Sequence, residues 1–342
     1  MALEVALVLF ALNRKILIVD PDQLGTFVSA KTRTTQPSAE PMKVLLFTHY
    51  RGGSSFFGET FNQNPSVFYL YEPAMFVNEL GIDKYGLSGK EKFTKVLNEL
   101  ASCDLHRLQT TILNSHKSFY SRTRLGGSEF VKCATSAKGK VTNFMPAVAK
   151  CLTDFENQCK QSRIRVIKII RFDAELIELL MRSDPSWHVI HLLRDPRGIL
   201  NSRSQIHHYT SKDIPRFANS TCRVLLNRIE SLEQLKIQHP LYSLHEVRYE
   251  DIARDPIGQT SRVYEAIGLD EVPVQVKTWL SKMTHTDPNA RITNIYKPSP
   301  KDSVANSYKW NKSISVSNLI EINHVCGELF AKTGYPLYKP PE

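Results

Sequence analysis

The sequence predicts an α/β fold: an open parallel sheet flanked by helices. Three observations predict it. The stretch from Lys43 to Pro73, KVLLFTHYRGGSSFFGETFNQNPSVFYLYEP, opens on the continuous apolar run Val44 to Phe47, as a strand buried on both faces requires. A glycine turn follows, and then Phe56, Phe57 and Phe61 at helical spacing. The second observation is the apolar run IRVIKIIR, Ile164 to Arg171, leading into a helical pattern from Phe172 to Arg182. The third is HVIHLLRD, His188 to Asp195, which again runs into a helix. Strands alternating with helices at these lengths specify parallel pairing.

Taken in order, the chain begins with Met1 to Leu12, apolar except for Glu4, and Asn13-Arg14-Lys15 separates this run from Ile16 to Val19. Neither run approaches the roughly 20 apolar residues of a membrane-spanning helix, and no basic segment precedes the first, as a signal peptide requires. Lys31 to Pro41, KTRTTQPSAEP, is polar with two prolines and reads as a linker or stem. Residues 1–41 are therefore expected to be an apolar segment and stem, and residues 42–342 a single domain.

The turn after the first strand reads Arg51-Gly52-Gly53-Ser54-Ser55. A helix start leaves backbone N–H groups unpaired, and the helix dipole there favours negative charge. Glycines allow close backbone approach, Ser54 and Ser55 add hydroxyls, and Arg51 adds a permanent cation. This is an anion cradle for a phosphate-like group. It is P-loop-like without being a Walker A loop, because no Lys follows the second glycine and the spacing is too short. A nucleoside-triphosphatase is disfavoured accordingly.

From residue 74 to 160 helical stretches alternate with polar loops: Lys90 to Leu100 reads as a helix and Ser115 to Lys140 as an exposed loop region that could shape a ligand cleft. At the end of the Ile164 strand, Lys168 and Arg171 are candidates for binding an acceptor; the alternative is a solvated strand end and a salt bridge. In the next unit Asp195 is suited to cap a helix and Pro196 to start it, placing Arg194 at the strand's C-terminal edge and Ser202 two turns into the helix. Such edges are where open α/β sheets bind ligands; the alternatives are an ion pair for Arg194 and a surface position for Ser202. Arg216 to Leu235 carries the spacing of a long packed helix. Leu244 to Ile252 reads as a strand, Thr260 to Ile267 as a helix, Ala290 to Asn311 as loop, and Ile314 to Lys332 as a helix.

With 42% hydrophobic and 23% charged residues, the composition is that of an ordinary globular domain. The net charge of +10 calls for an anionic partner. No zinc pattern, basic run or RNA-binding aromatic signature accompanies it, which disfavours nucleic acid. Six cysteines without a C-x-x-C pair argue against structural zinc and fit disulfides of a secretory compartment, although 15 full pairings are open. Two sequons, Asn219-Ser220-Thr221 and Asn311-Lys312-Ser313, point the same way.

Several of these residues together carry a resemblance. Arg51-Gly52-Gly53-Ser54-Ser55-Phe56 followed by Tyr71-Glu72-Pro73 resembles the 5′-phosphosulfate loop of carbohydrate sulfotransferases, nearest to the Golgi 6-O-sulfotransferases of galactose, N-acetylgalactosamine and N-acetylglucosamine. IHLLRDPRGILNSR resembles that family's 3′-phosphate motif, and the likeness extends over most of residues 43 to 336. The resemblance implies a single sulfotransferase domain, 3′-phosphoadenosine 5′-phosphosulfate (PAPS) as donor, no metal, a glycan or proteoglycan acceptor, and a Golgi enzyme of type II topology. It places the donor on Arg51, Gly52, Gly53, Ser54, Ser55, Arg194 and Ser202. For the base that takes the acceptor's proton the choice falls on Glu72, with Glu59 and His49 as alternatives. One departure stands out: after Trp310 comes Asn311 where the family has a basic residue, so a nucleotide-covering role of this segment is in question. The competing readings are a glycan- or nucleotide-binding protein without turnover, and a P-loop kinase of small molecules.

Overall fold

A computed structural model describes residues 40–73, 87–108, 118–140, 145–170, 173–207, 210–286 and 301–340. The apolar segment and stem fall outside these residues, as does Arg171.

Five strands, β1 (Met42–Thr48), β2 (Val67–Tyr71), β3 (Ile164–Ile170), β4 (Trp187–Leu193) and β5 (Ser243–Arg248), form one parallel sheet in the order β2-β3-β1-β4-β5. The three inner strands are the three apolar runs, as the need to cover both faces dictates. Leu45 and Phe47 of β1 face one core, with Phe68, Leu70, Ile167 and Ile169, while Val44 and Leu46 face the other. Helix α1 (Ser54–Asn62) covers the second face, and Phe57 and Phe61 are fully buried there. Each such side chain contributes about 1.5–3 kcal/mol to holding the helix on the sheet.

The first face is covered by α2 (Leu87–Ala101), α3 (Gly127–Lys140), α4 (Met145–Gln161) and α5 (Ala174–Ser183). After β4 comes α6 (Pro196–His207), and the long α7 (Ile214–Gln238) packs with α8 (Val316–Val325) and α9 (Gly327–Thr333) in a third cluster around Trp310. All six cysteines are paired, as Cys103–Cys159, Cys133–Cys151 and Cys222–Cys326.

Three local expectations are corrected. Gly127–Lys140 is helical where a loop was expected, because Phe130 and Ala134 lie one turn apart and face the core, while the preceding Gly126 takes a positive φ of 74° to turn the chain. The strand read as Leu244 to Ile252 ends at Arg248, and Tyr249–Arg254 is a helix whose Tyr249 and Ile252 reach the second core. The last helix breaks at Cys326, which is tied to Cys222.

Candidate functional site

The site lies at the C-terminal edge of the sheet, where β1, β2, β3 and β4 end. After β1 the chain turns through Arg51 and Gly53, both left-handed, with φ of 67° and 90°. A Cβ on Gly53 would stand 2.2 Å from the Tyr249 ring, and one on Gly52 would stand 2.3 Å from Thr48 Oγ1. Both positions therefore require glycine. The Gly52 N–H is spent on the His49 carbonyl, at 2.8 Å. Those of Gly53, Ser54 and Ser55 donate to no backbone carbonyl among the described residues, so these three are the N–H groups that the turn could offer an anion.

Arg51 joins this loop to the β4–α6 unit. Its Nε donates to Ser202 Oγ at 3.0 Å, and its carbonyl accepts from Arg194 Nη1 at 3.0 Å. Two stretches more than 140 residues apart in sequence thus meet in one cationic corner. Arg194 lies over the Tyr249 ring at 4.4 Å, and its buried Nε has no hydrogen-bond partner among the described residues. Gly198 leaves room for it, since a Cβ there would stand 2.9 Å from that Nε.

Asp195, the acid nearest Arg194 in sequence, is engaged elsewhere. Its Oδ1 caps the helix by accepting the Arg197 N–H at 2.8 Å, and its carboxylate holds the buried Arg197 guanidinium, with Nη2 to Oδ2 at 2.6 Å. Arg197 is stacked in turn on Trp310, 4.1 Å from the ring centre. The Asp195 N–H goes to Glu250 Oε1 at 3.1 Å, and Tyr335 donates to Glu250 Oε2 at 2.9 Å. Burial, reinforced by Asp195, raises the Glu250 carboxyl above the usual carboxylate range. This frame fixes the start of α6 immediately after Arg194.

On the other side of the cradle stands Glu72, just past β2, with a positive φ of 49°. Its N–H donates to the Lys168 carbonyl at 3.0 Å. Lys168 is fully buried, and its Nζ donates to Glu72 Oε1 at 2.6 Å while lying 3.8 Å from the centre of the Tyr71 ring. The second carboxylate oxygen accepts from no described residue. Parallel register explains the meeting: Tyr71 is paired with Lys168 across β2 and β3. Ser55 Oγ reaches the Tyr71 hydroxyl at 3.3 Å, linking this corner to the cradle.

Arg122 was not singled out from the sequence. Asn62 accepts from Arg124 N at 3.0 Å and donates to Arg122 O at 2.8 Å, which fixes this segment on α1 and sets the Arg122 guanidinium 3.9 Å from the Tyr71 ring centre. Glu59 is on the same side, hydrogen-bonded by Gln63 at 2.8 Å and by Asn62. Burial pushes its carboxyl above the usual range despite these bonds and the charges of Arg122 and Lys168. The His49 ring is bonded to the Tyr50 carbonyl at 3.0 Å.

Lys301 was missed as well. Desolvation of its ammonium, with repulsion from Lys309, Arg194 and Arg51, lowers its pKa, so its charge acts on the same positive region. No sequence spacing signals a residue brought in from more than 100 positions away. Among the described residues no cluster of three metal-ligating side chains occurs.

A profile of the sulfotransferase family matches residues 45–273, more than half of the chain. The chain belongs to the sulfotransferase family. It is accordingly a sulfotransferase enzyme, which removes the kinase reading. The matched span holds every site residue discussed above except Lys301, Lys309, Trp310 and Tyr335. Among curated proteins it is similar to carbohydrate sulfotransferase 4 of Mus musculus, 26% identical over 335 residues that cover 88% of this chain and 83% of the relative. Carbohydrate sulfotransferase 1 of Danio rerio is 28% identical over 346 residues, covering 89% and 80%. Among solved structures, mouse sulfotransferase SULT7A1 complexed with PAP is similar with a TM-score of 0.44 at 10% identity, covering 87% of each chain.

Proposed function

We propose that this sulfotransferase moves a sulfuryl group from PAPS to a sugar hydroxyl of a glycan or proteoglycan, the 6-OH of galactose, N-acetylgalactosamine or N-acetylglucosamine, in the Golgi lumen. The observation that carries the reading is the bridge through Arg51, which binds the glycine cradle to Arg194 and Ser202. A ligand with two phosphate-like groups on one small scaffold matches these two joined cationic sites, and a nucleotide phosphorylated at both 5′ and 3′ positions is such a ligand. The orphaned Nε of Arg194 supports an anion there. The names of the carbohydrate sulfotransferases support a sugar acceptor.

In this reading the 5′-phosphosulfate lies on the Gly53, Ser54 and Ser55 N–H groups and Arg51. The 3′-phosphate lies on Arg194 and Ser202. Phe56, whose ring is 5.5 Å from that of Trp279 and 6.4 Å from that of Tyr249, offers an aromatic surface for the adenine beside the cradle. The acceptor oxygen attacks sulfur in line with the bridging oxygen; the new O–S bond forms as the old one breaks, and PAP leaves with the electron pair. Arg51 and the cradle N–H groups balance the charge that develops on the leaving phosphate and the sulfuryl oxygens.

Glu72 takes the hydroxyl proton on its second oxygen, while Lys168 holds the first and fixes the carboxylate's direction. In this reading Lys168, fully buried, positions Glu72 rather than touching the acceptor; its burial supports that role. The acceptor approaches past Arg122. The test is incubation with radiolabelled PAPS across keratan, chondroitin and N-acetylglucosamine-terminated acceptors, followed by disaccharide analysis. Sulfate at C6 is expected; sulfate only at another hydroxyl would refute the position, and PAP binding without transfer to any acceptor would favour the binding-protein reading.

A further inference from the structure

Asn219 and Asn311 begin the two sequons, and both residues are exposed. Asn219 lies on the outer face of α7, while its neighbours Ala218, Thr221 and Cys222 are buried against the third cluster. Asn311 lies in the short helix Trp310–Ser313; Trp310 and Ile314 belong to that cluster, and residues 311–313 between them are exposed. A bulky polar substituent at either asparagine would project into solvent without displacing a packed group. The three disulfides, which use every cysteine of the chain, belong to an oxidising secretory compartment, where such sequons meet the glycosylation machinery.

We propose that Asn219 and Asn311 both carry N-linked glycans, and that these stand on the lobe tied by Cys222–Cys326. The placement has a consequence for access. The lobe packs on α6, which follows β4, whereas Glu72 follows β2 at the opposite edge of the sheet, with β3 and β1 between. Three strand spacings of about 4.8 Å separate the two, roughly 14 Å at the level of the backbone. The attachment points therefore lie on the side of the sheet that carries α6, and Glu72 lies three strands away. This holds whatever the acceptor is.

The experiment uses the full chain, routed to secretion from animal cells by a cleavable signal peptide. Treatment with peptide N-glycosidase should increase gel mobility by two glycan steps, N219Q and N311Q should each remove one step, and the double variant should be insensitive. S313A, which keeps Asn311 but destroys its sequon, should behave as N311Q. Peptide mass spectrometry of the unsubstituted protein, deglycosylated in heavy-oxygen water, provides a reading independent of variant folding: Asn219 and Asn311 should both convert to labelled Asp. An unmodified asparagine at either position in the secreted, disulfide-bonded protein would overturn the assignment there, and insensitivity of the whole protein would overturn it entirely.

Discussion

Replacing Lys168 by Met tests whether the Glu72–Lys168 contact is a buried ion pair that fixes the proposed base. The Nζ–Oε1 distance is 2.6 Å, Lys168 is 0% exposed and Glu72 9%. Exposed pairs contribute about 0–1 kcal/mol, whereas removing one partner of a buried pair costs about 3–5 kcal/mol, because the remaining charge is stranded. K168M should therefore lose about 3–5 kcal/mol of stability. E72Q should also be costly, since it strands the ammonium. The double variant E72Q/K168M strands nothing, so its loss should fall short of the sum of the single losses by about 1–3 kcal/mol. Urea unfolding of the four proteins with disulfides intact measures this cycle. A K168M loss below about 1 kcal/mol, or strict additivity, would refute the reasoning.

Other consequences can be checked as directly. R51A and R194A each remove charge-assisted hydrogen bonding of about 1.5–3 kcal/mol, so the affinity for PAP should fall about 10- to 150-fold by calorimetry; unchanged affinity would dissociate that arginine from the phosphates. G53A combines a positive φ with a Cβ 2.2 Å from the Tyr249 ring, and should abolish PAP binding while the far-ultraviolet circular dichroism is retained. Burial lowers the pKa of His188, His191 and His245. The unfolded chain then takes up protons near pH 6.5 that the folded chain refuses, so the stability contributed by these neutral histidines is present above that pH and is lost as pH falls through it. Unfolding free energies equal at pH 8 and pH 5.5 would contradict this.

The sheet was legible because β1, β3 and β4 are buried on both faces, which demands the continuous apolar runs that sequence displays openly. The loop and the RDPR turn were legible for a related reason, since both sit at strand ends marked by glycine or proline. Lys168 was located correctly at a strand end, yet its surroundings were not, because pairing with β2 depends on a crossover of some 90 residues that no local pattern encodes. Arg122 and Lys301 were invisible for the same reason. Arg122 owes its place to side-chain bonds from Asn62, and Lys301 adds its charge to that of Arg51 and Arg194 from a segment more than 100 positions away. The helix over residues 127–140 was hidden by Ser128, Lys132 and Ser136 on its exposed side, which resemble loop composition, while Phe130, Ala134 and Cys133–Cys151 anchor it.

The central claim is that Glu72 is the base in a PAPS-dependent transfer, distinct from the groups that hold the donor. Unsubstituted protein and E72Q, compared by PAP titration and by radiolabel transfer to the best acceptor, test it in one experiment. Near-equal PAP affinity is expected for the two proteins, with transfer slowed about 10²- to 10⁴-fold in E72Q. Undiminished transfer by E72Q would contradict it.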